Sequence, residues 1–203
     1  MPPSVAPVAA TFLERLLFDI DATEALSTLS SIWSRRTRTH VAQFGLSEAE
    51  YVVQLCLIYS GEVANGGHAQ FFLNRGGQYV TETLHALRVT ELPELAGILQ
   101  RANATFPGGS AQIEQGAIEE ELDKFTETQW RSLGQCDREL FQLLASVDTR
   151  LLMYVRTNQH QILLPETPRE LRTGRCAVDQ LPASLLECGT HDSSPKANFG
   201  SWT

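Results

Sequence analysis

Glu62, Asn65, His68 and Gln70 bring a carboxylate, two amides and an imidazole into one short glycine-rich stretch. Imidazole exchanges protons near neutral pH, and a neighbouring carboxylate can orient it. Glu62 and His68 therefore have the composition of an acid–base pair, with Asn65 and Gln70 completing a polar pocket for a small ligand. An enzyme built this way needs a concave site that exposes both residues. The chain offers no recognisable nucleophile, phosphate loop or established metal spacing to go with it, so a binding role is the stronger expectation. The same residues also have a purely structural reading. Two breaks, Asn65-Gly66-Gly67 and Asn74-Arg75-Gly76-Gly77, bracket an apolar turn carrying Phe71, Phe72 and Leu73. Glycine serves where the backbone needs positive φ or a close approach. Asn65 and Asn74 tolerate left-handed conformations or bond nearby backbone, and Gln70 can satisfy groups exposed by the break. Phe71 and Phe72 would then fill the core.

A second group of chemically active side chains is acidic. The chain carries a net charge of -8 with a pI near 5.1, and residues 110–148 hold nine acids against three bases. Glu114, Glu119, Glu120, Glu121, Asp123, Glu127, Asp137 and Glu139 fall in this stretch. On one surface they would steer a basic partner; dispersed, they are a solvated helix face. The negative balance argues against direct binding of nucleic acid or of an anionic membrane. Arg35, Arg36 and Arg38 form a short basic run without interleaved aromatics, which reads as a helix end more readily than as a phosphate contact.

Cys56, Cys136, Cys176 and Cys188 include no thiolate clamp. Only Cys188 has a histidine, His191, at zinc spacing, and Cys176 with His160 makes a poor second pair. No metal or cofactor is expected, and reduced thiols suit all four. The opening Met1-Pro2-Pro3 lacks the basic region of a secretory signal, and no apolar run approaches the roughly 20 residues of a membrane span. The expected location is the cytoplasm.

The elements that must position these groups are helical throughout. Phe12, Leu16, Leu17 and Ile20, then Leu26, Leu29, Ile32 and Trp33, follow helical spacing with a break near Asp21. Ser47 and Glu50 form a capping box ahead of a stripe of Tyr51, Val52, Leu55, Ile58 and Tyr59, in a helix that should stop at the first glycine pair. Val80, Leu84 and Leu87 mark the next helix, Pro93 opens another, and Phe106-Pro107-Gly108-Gly109 ends it. Ile118, Leu122 and Phe125 line an acidic helix. Asp137 is expected to cap a last long helix ending near His160, after a short link with Trp130 and Leu133. The expected fold is all-α: a single compact multi-helix domain over 11–164, a flexible N-terminus over 1–10, and an irregular, extended or disordered tail over 165–203.

The stretch from Glu62 to Asn74, with Asn65-Gly66-Gly67-His68 followed by Gln70-Phe71-Phe72 and Asn74, resembles the signature of a bacterial DNA-mimic-protein-like domain-of-unknown-function family. The likeness continues through Gly77, Glu82-Thr83-Leu84-His85-Ala86-Leu87 and Phe106-Pro107, and spans about residues 45–162. His68 departs from it, standing where the family usually has an aromatic such as Phe. The resemblance implies an all-α domain, homodimerisation, and a surface that occupies the DNA-binding face of a transcription factor or another nucleic-acid-binding protein. Such mimicry needs carboxylates spaced like backbone phosphates, about 1.7 Å apart along the axis counting both strands. An immunity-type inhibitor of a basic toxin would need a similar acidic surface.

Overall fold

The computed structural model describes residues 11–39 and 45–163, with only the backbone of 35–39. Every regular element among them is helical: α1 (Phe12–Phe18), α2 (Ala22–Thr39), α3 (Glu48–Arg75), α4 (Val80–Val89), α5 (Pro93–Asn103), α6 (Gln115–Asp123) and α7 (Glu127–Thr157). Single 3-10 turns at Gly77–Tyr79, Pro107–Gly109 and Gln159–Gln161 punctuate the chain. The segments expected to be a flexible N-terminus and an irregular tail lie outside the described residues, as do Cys176, Cys188, His191 and the side chains of Arg35, Arg36 and Arg38.

Local chemistry starts three of these helices. Ser47 Oγ accepts the Glu50 N–H at 3.2 Å while Glu50 Oε2 accepts the Ser47 N–H at 2.8 Å, the reciprocal box that satisfies two orphan donors. The other Glu50 oxygen takes the Leu163 N–H at 2.7 Å, which accounts for a carboxylate with no solvent exposure. Thr11 with Glu14 and Thr126 with Gln129 repeat the device. The Thr126 box corrects the expected start of the last helix. Trp130 and Leu133 belong to the first turns of α7, because Thr-x-x-Gln supplies a complete cap before them, and Asp137 lies in the helix interior.

α7 packs along α3, and α2, α4, α5 and α6 close around this pair. Trp33, Tyr59, Phe71, Phe72, Leu99 and Leu133 are among the fully buried side chains at the centre. An edge-to-face aromatic chain runs from Tyr59 to Phe71, Phe72, Phe106, Phe125 and Trp130, with ring centroids 4.7 to 5.5 Å apart. Each such pair adds about 1 kcal/mol beyond the area it buries. The apolar turn between the glycine breaks thus reaches the start of α7 through side chains alone. At the N-terminal end, Arg156 on α7 donates through Nε (2.8 Å) and Nη2 (2.5 Å) to the Leu17 carbonyl and lies 5.0 Å over the Phe18 ring. This satisfies a carbonyl at the end of α1 that the helix itself leaves open. No helix among the described residues is long and apolar enough to cross a membrane.

Candidate functional site

The glycine pair divides α3 into two helical arms. Gly66 (φ -157°, ψ 24°) and Gly67 (φ 72°, ψ -178°) leave helical geometry, and the helix resumes at His68. The bend must be sharp. At a rise of 1.5 Å per residue, positions 62 and 74 of a straight helix would lie about 18 Å apart. Here the Asn74 amide donates to Glu62 Oε2 at 2.7 Å, and Gln70 Nε2 donates to the same oxygen at 2.9 Å. Arg75 reaches the other oxygen, Oε1, from Nε at 3.2 Å and Nη2 at 2.9 Å. Glu62 is thereby a staple between the arms. Burial pushes its carboxyl pKa up, but the bonds from Gln70, Asn74 and Arg75 and the arginine charge outweigh this, and the net direction is downward.

The second break is held by backbone. Gly77 donates its N–H to the Gln112 carbonyl at 2.7 Å, and a Cβ at Gly77 would stand 2.3 Å from the Ala111 carbonyl oxygen. A Cβ at Gly76 would meet the Ile113 oxygen at 2.5 Å. The glycines therefore let residues 111–113 cross directly over the end of α3. Of the two readings for Asn65 and Asn74, left-handed backbone or a bond to nearby backbone, the first does not hold: Glu91 is the sole non-glycine with positive φ among the described residues. Gln70 and Asn74 serve the Glu62 carboxylate, whereas exposed backbone at the bend is satisfied from α7.

That satisfaction comes from Asp137. Its Oδ1 accepts the His68 backbone N–H at 2.8 Å and lies 2.6 Å from His68 Nδ1. A carboxylate only accepts, so Nδ1 carries the proton. On the far side of the ring, Nε2 stands 2.8 Å from the Tyr59 hydroxyl. Burial, with lesser help from neighbouring Cys136 and Asp137, holds the Tyr59 pKa well above its ordinary value, so the phenol keeps its proton; in a singly protonated ring with that proton on Nδ1, Nε2 accepts from it. The result is a three-member chain, Tyr59 to His68 to Asp137, spanning both arms of α3 and the middle of α7.

Chemically this is a lock. His68 is fully buried, and its two ring nitrogens are engaged by Tyr59 and Asp137 rather than by Glu62. Glu62 in turn serves Gln70, Asn74 and Arg75. The structure thus separates the two residues that an acid–base pair would require together, and the imidazole itself has no exposed surface for a substrate to reach. Asn65 is exposed at the end of the first arm, away from any such pocket. Cys56, also buried, has its thiol pushed up to about 12 by burial and is unsuited to nucleophilic work.

The acidic residues distribute unevenly. Glu114, Glu119, Glu120 and Asp123 are exposed on or beside α6, and Glu127 is exposed at the start of α7. Glu114, Glu119 and Asp123 form no ion pair with a described residue. Glu120 has Lys124 at 3.6 Å and Glu127 has Arg131 at 2.5 Å, both exposed i,i+4 pairs worth only a few tenths of a kcal/mol, about 0.3–0.5. Glu121 is half-buried and takes the Gln112 amide at 3.3 Å. Glu139 pairs with Arg101, and Asp137 is turned inward to His68. Sequence reasoning grouped Asp137 with the acidic surface and missed its partner, as it missed Tyr59 and Arg75. The local chain offers no signal for a contact between residues so far apart.

No curated protein and no solved structure matches the chain. The model of a family described as DMP19-like protein matches residues 45–158. That span is more than half of the chain and takes in α3 to α7, with the bend, the Glu62 staple and the acidic helix. The chain belongs to the DMP19-like protein family.

Proposed function

We propose that this protein is an acidic interaction module of DNA-mimic type, which occupies the DNA-binding face of a transcription factor or another nucleic-acid-binding protein. The observation that carries the reading is membership of the DMP19-like family over the helical domain. The exposed carboxylates of Glu114, Glu119 and Asp123, which have no ion-pair partner among the described residues, support it as the place where negative charge meets the partner, with Glu120 and Glu127 close in sequence. Their neighbours Ile118 and Leu122 are buried, which holds α6 against α3 and presents its acids on a rigid element. In this reading the protein works in the cytoplasm as a homodimer, with a basic protein as its partner and no direct contact to nucleic acid or membrane. The glycine bend then serves the fold, and the working surface lies on α6 and the start of α7.

The test is a competition. The protein is immobilised and used to capture partners from its own cell extract at low and high salt. The captured protein is then challenged with duplex DNA. The expected partner binds DNA, leaves the column at high salt, and is displaced by duplex DNA. It is not retained by a Glu114→Gln/Glu119→Gln/Asp123→Asn variant. A captured partner that still binds DNA while held on the column would overturn mimicry. Equal retention by the variant would overturn the assignment of the surface.

A further inference from the structure

Three arginines of this acidic protein line a cleft between α5 and α7. It has a volume of about 580 Å³ and is lined by Arg101, Arg131, Arg138, Ser132, Gln135 and Cys136, with no carboxylate among its lining residues. The volume lies within the range of small-molecule sites, about 300–1,000 Å³. We propose that this cleft binds a phosphate-bearing small molecule, of the pyrophosphate or phosphomonoester class.

Three guanidiniums from two helices share the cleft. Arg101 is anchored through Nη2 to Glu139, and Arg131 through Nη2 to Glu127 at 2.5 Å. Each of these contacts engages one of the five N–H donors that a guanidinium carries. Arg138 has no carboxylate partner among the described residues; its Nη2 donates to Gln135 Oε1 at 2.7 Å. Gln135 passes the connection on, donating from Nε2 to Glu139 Oε1 at 3.0 Å. Arg138, Gln135, Glu139 and Arg101 therefore form one connected rim that holds the side chains across the cleft before any ligand arrives. Donors remain on all three arginines, and the Ser132 hydroxyl lines the same space.

The chemistry of those donors selects the ligand class. One guanidinium fork saturates a carboxylate with two parallel bonds. Three forks and a hydroxyl suit a tetrahedral group, whose oxygens accept from several directions at once. The Glu139 and Glu127 carboxylates offset the charges of Arg101 and Arg131, so the net attraction for an anion comes from Arg138, which has no carboxylate partner among the described residues. The Cys136 thiol is pushed up chiefly by burial, so it adds no competing negative charge at neutral pH.

Calorimetric titration of the full chain with pyrophosphate, inorganic phosphate and succinate tests this. Saturable binding of pyrophosphate is expected, weaker binding of phosphate, and weaker binding still of succinate. Arg131→Gln and Arg138→Gln should each weaken pyrophosphate binding by roughly tenfold or more, as loss of a charge-assisted bond implies. Arg88→Gln, an exposed arginine on α4 outside the cleft, should bind as the parent does. Unchanged helicity and melting of the variants would place any loss in the cleft. Absence of saturable binding, succinate binding as tightly as pyrophosphate, or equal effects of Arg88→Gln and Arg138→Gln would each overturn the proposal.

Discussion

One oxygen of Asp137, in the interior of α7, receives both the backbone N–H and the ring Nδ1 of His68, at 2.8 and 2.6 Å. This is a helix cap supplied in trans. The second arm of α3 begins anew after Gly67, and its first N–H groups have no partner within the arm. A carboxylate there answers the hydrogen-bonding need and the positive end of the helix dipole together. Because the capping carboxylate sits on a different helix, the bend in α3 and the docking of α7 depend on one another.

The first prediction concerns this cap. Asp137→Ala removes a charged acceptor from a backbone donor and from a buried imidazole, and should cost about 3 kcal/mol of stability. Asp137→Asn can keep its one carbonyl oxygen where Oδ1 receives both donors, losing the charge but not the acceptor, and should cost about half as much. Urea unfolding of both variants against the parent measures the difference. A loss for Asp137→Ala as small as that of an ordinary surface substitution, about 0.5 kcal/mol, would show that the bend holds without its cap.

The second prediction separates a polar lock from simple packing. In the parent, Tyr59→Phe strips the donor from His68 Nε2 in a fully buried site and should cost about 1–3 kcal/mol. His68→Phe places at the bend the aromatic that the family resemblance leads one to expect there. In that background the Tyr59 hydroxyl has lost its partner, so Tyr59→Phe should be neutral or stabilising. The four proteins make a double-mutant cycle, and a coupling of about 1 kcal/mol or more is expected. Additive effects would mean that the hydroxyl and the imidazole contribute independently.

The difference between what the chain shows and what it hides follows from distance along it. Ser47 with Glu50 is legible because the box closes within one turn, and the positions of Val80, Pro93 and Ile118 are legible because one buried stripe defines a helix. Gly66-Gly67 marks the bend since no other residue pair supplies that backbone so readily. Thr126 with Gln129 carries the same kind of signal as Ser47 with Glu50, whereas Asp137, which the local sequence also suits to a helix start, caps the second arm of α3 instead. Asn74 illustrates the limit. An amide beside glycines suggests a left-handed turn, and only the sharpness of the bend reveals that it faces Glu62 instead. The cleft arginines are similarly spread over two helices, with nothing in their spacing to unite them.

The third prediction ranks two neighbouring glycines. Gly67 has φ 72° and ψ -178°, a region essentially confined to glycine, and an added Cβ would stand 2.7 Å from Asp137 Oδ2. Gly66 has a negative φ (-157°), outside the left-handed region, and its added Cβ meets mainly the far end of the flexible Gln70 side chain, at 2.1 Å, with Gln70 Cβ at 3.0 Å. Gly67→Ala should therefore cost about 3 kcal/mol or more, through strain and displacement of the cap, while Gly66→Ala should cost about 1 kcal/mol as Gln70 gives up its bond to Glu62. Thermal unfolding of the two variants decides the order. Equal losses would mean that crowding alone, rather than backbone conformation, governs the bend.

The fourth prediction is a pH dependence assigned to one carboxylate. The folded environment lowers the Glu62 pKa below its ordinary value of 4.5, because the bonds from Gln70, Asn74 and Arg75 together exceed the opposing effect of burial. A depressed folded pKa means that the unfolded chain binds the proton more readily, so acid favours unfolding. The contribution of the staple is fully present above the unfolded value and is lost as pH falls through the lower, folded one. Glu62→Gln keeps the shape but cannot titrate, and its neutral amide is a weaker acceptor for Arg75. The parent should exceed this variant in unfolding free energy by a constant margin from neutral pH down to about 4.5, and the margin should shrink steadily below it. Denaturant titrations of the pair across that range test the assignment. A margin that stays constant into strong acid would mean that folding leaves the Glu62 pKa unshifted, and that the bonds from Gln70, Asn74 and Arg75 do not favour its ionised form.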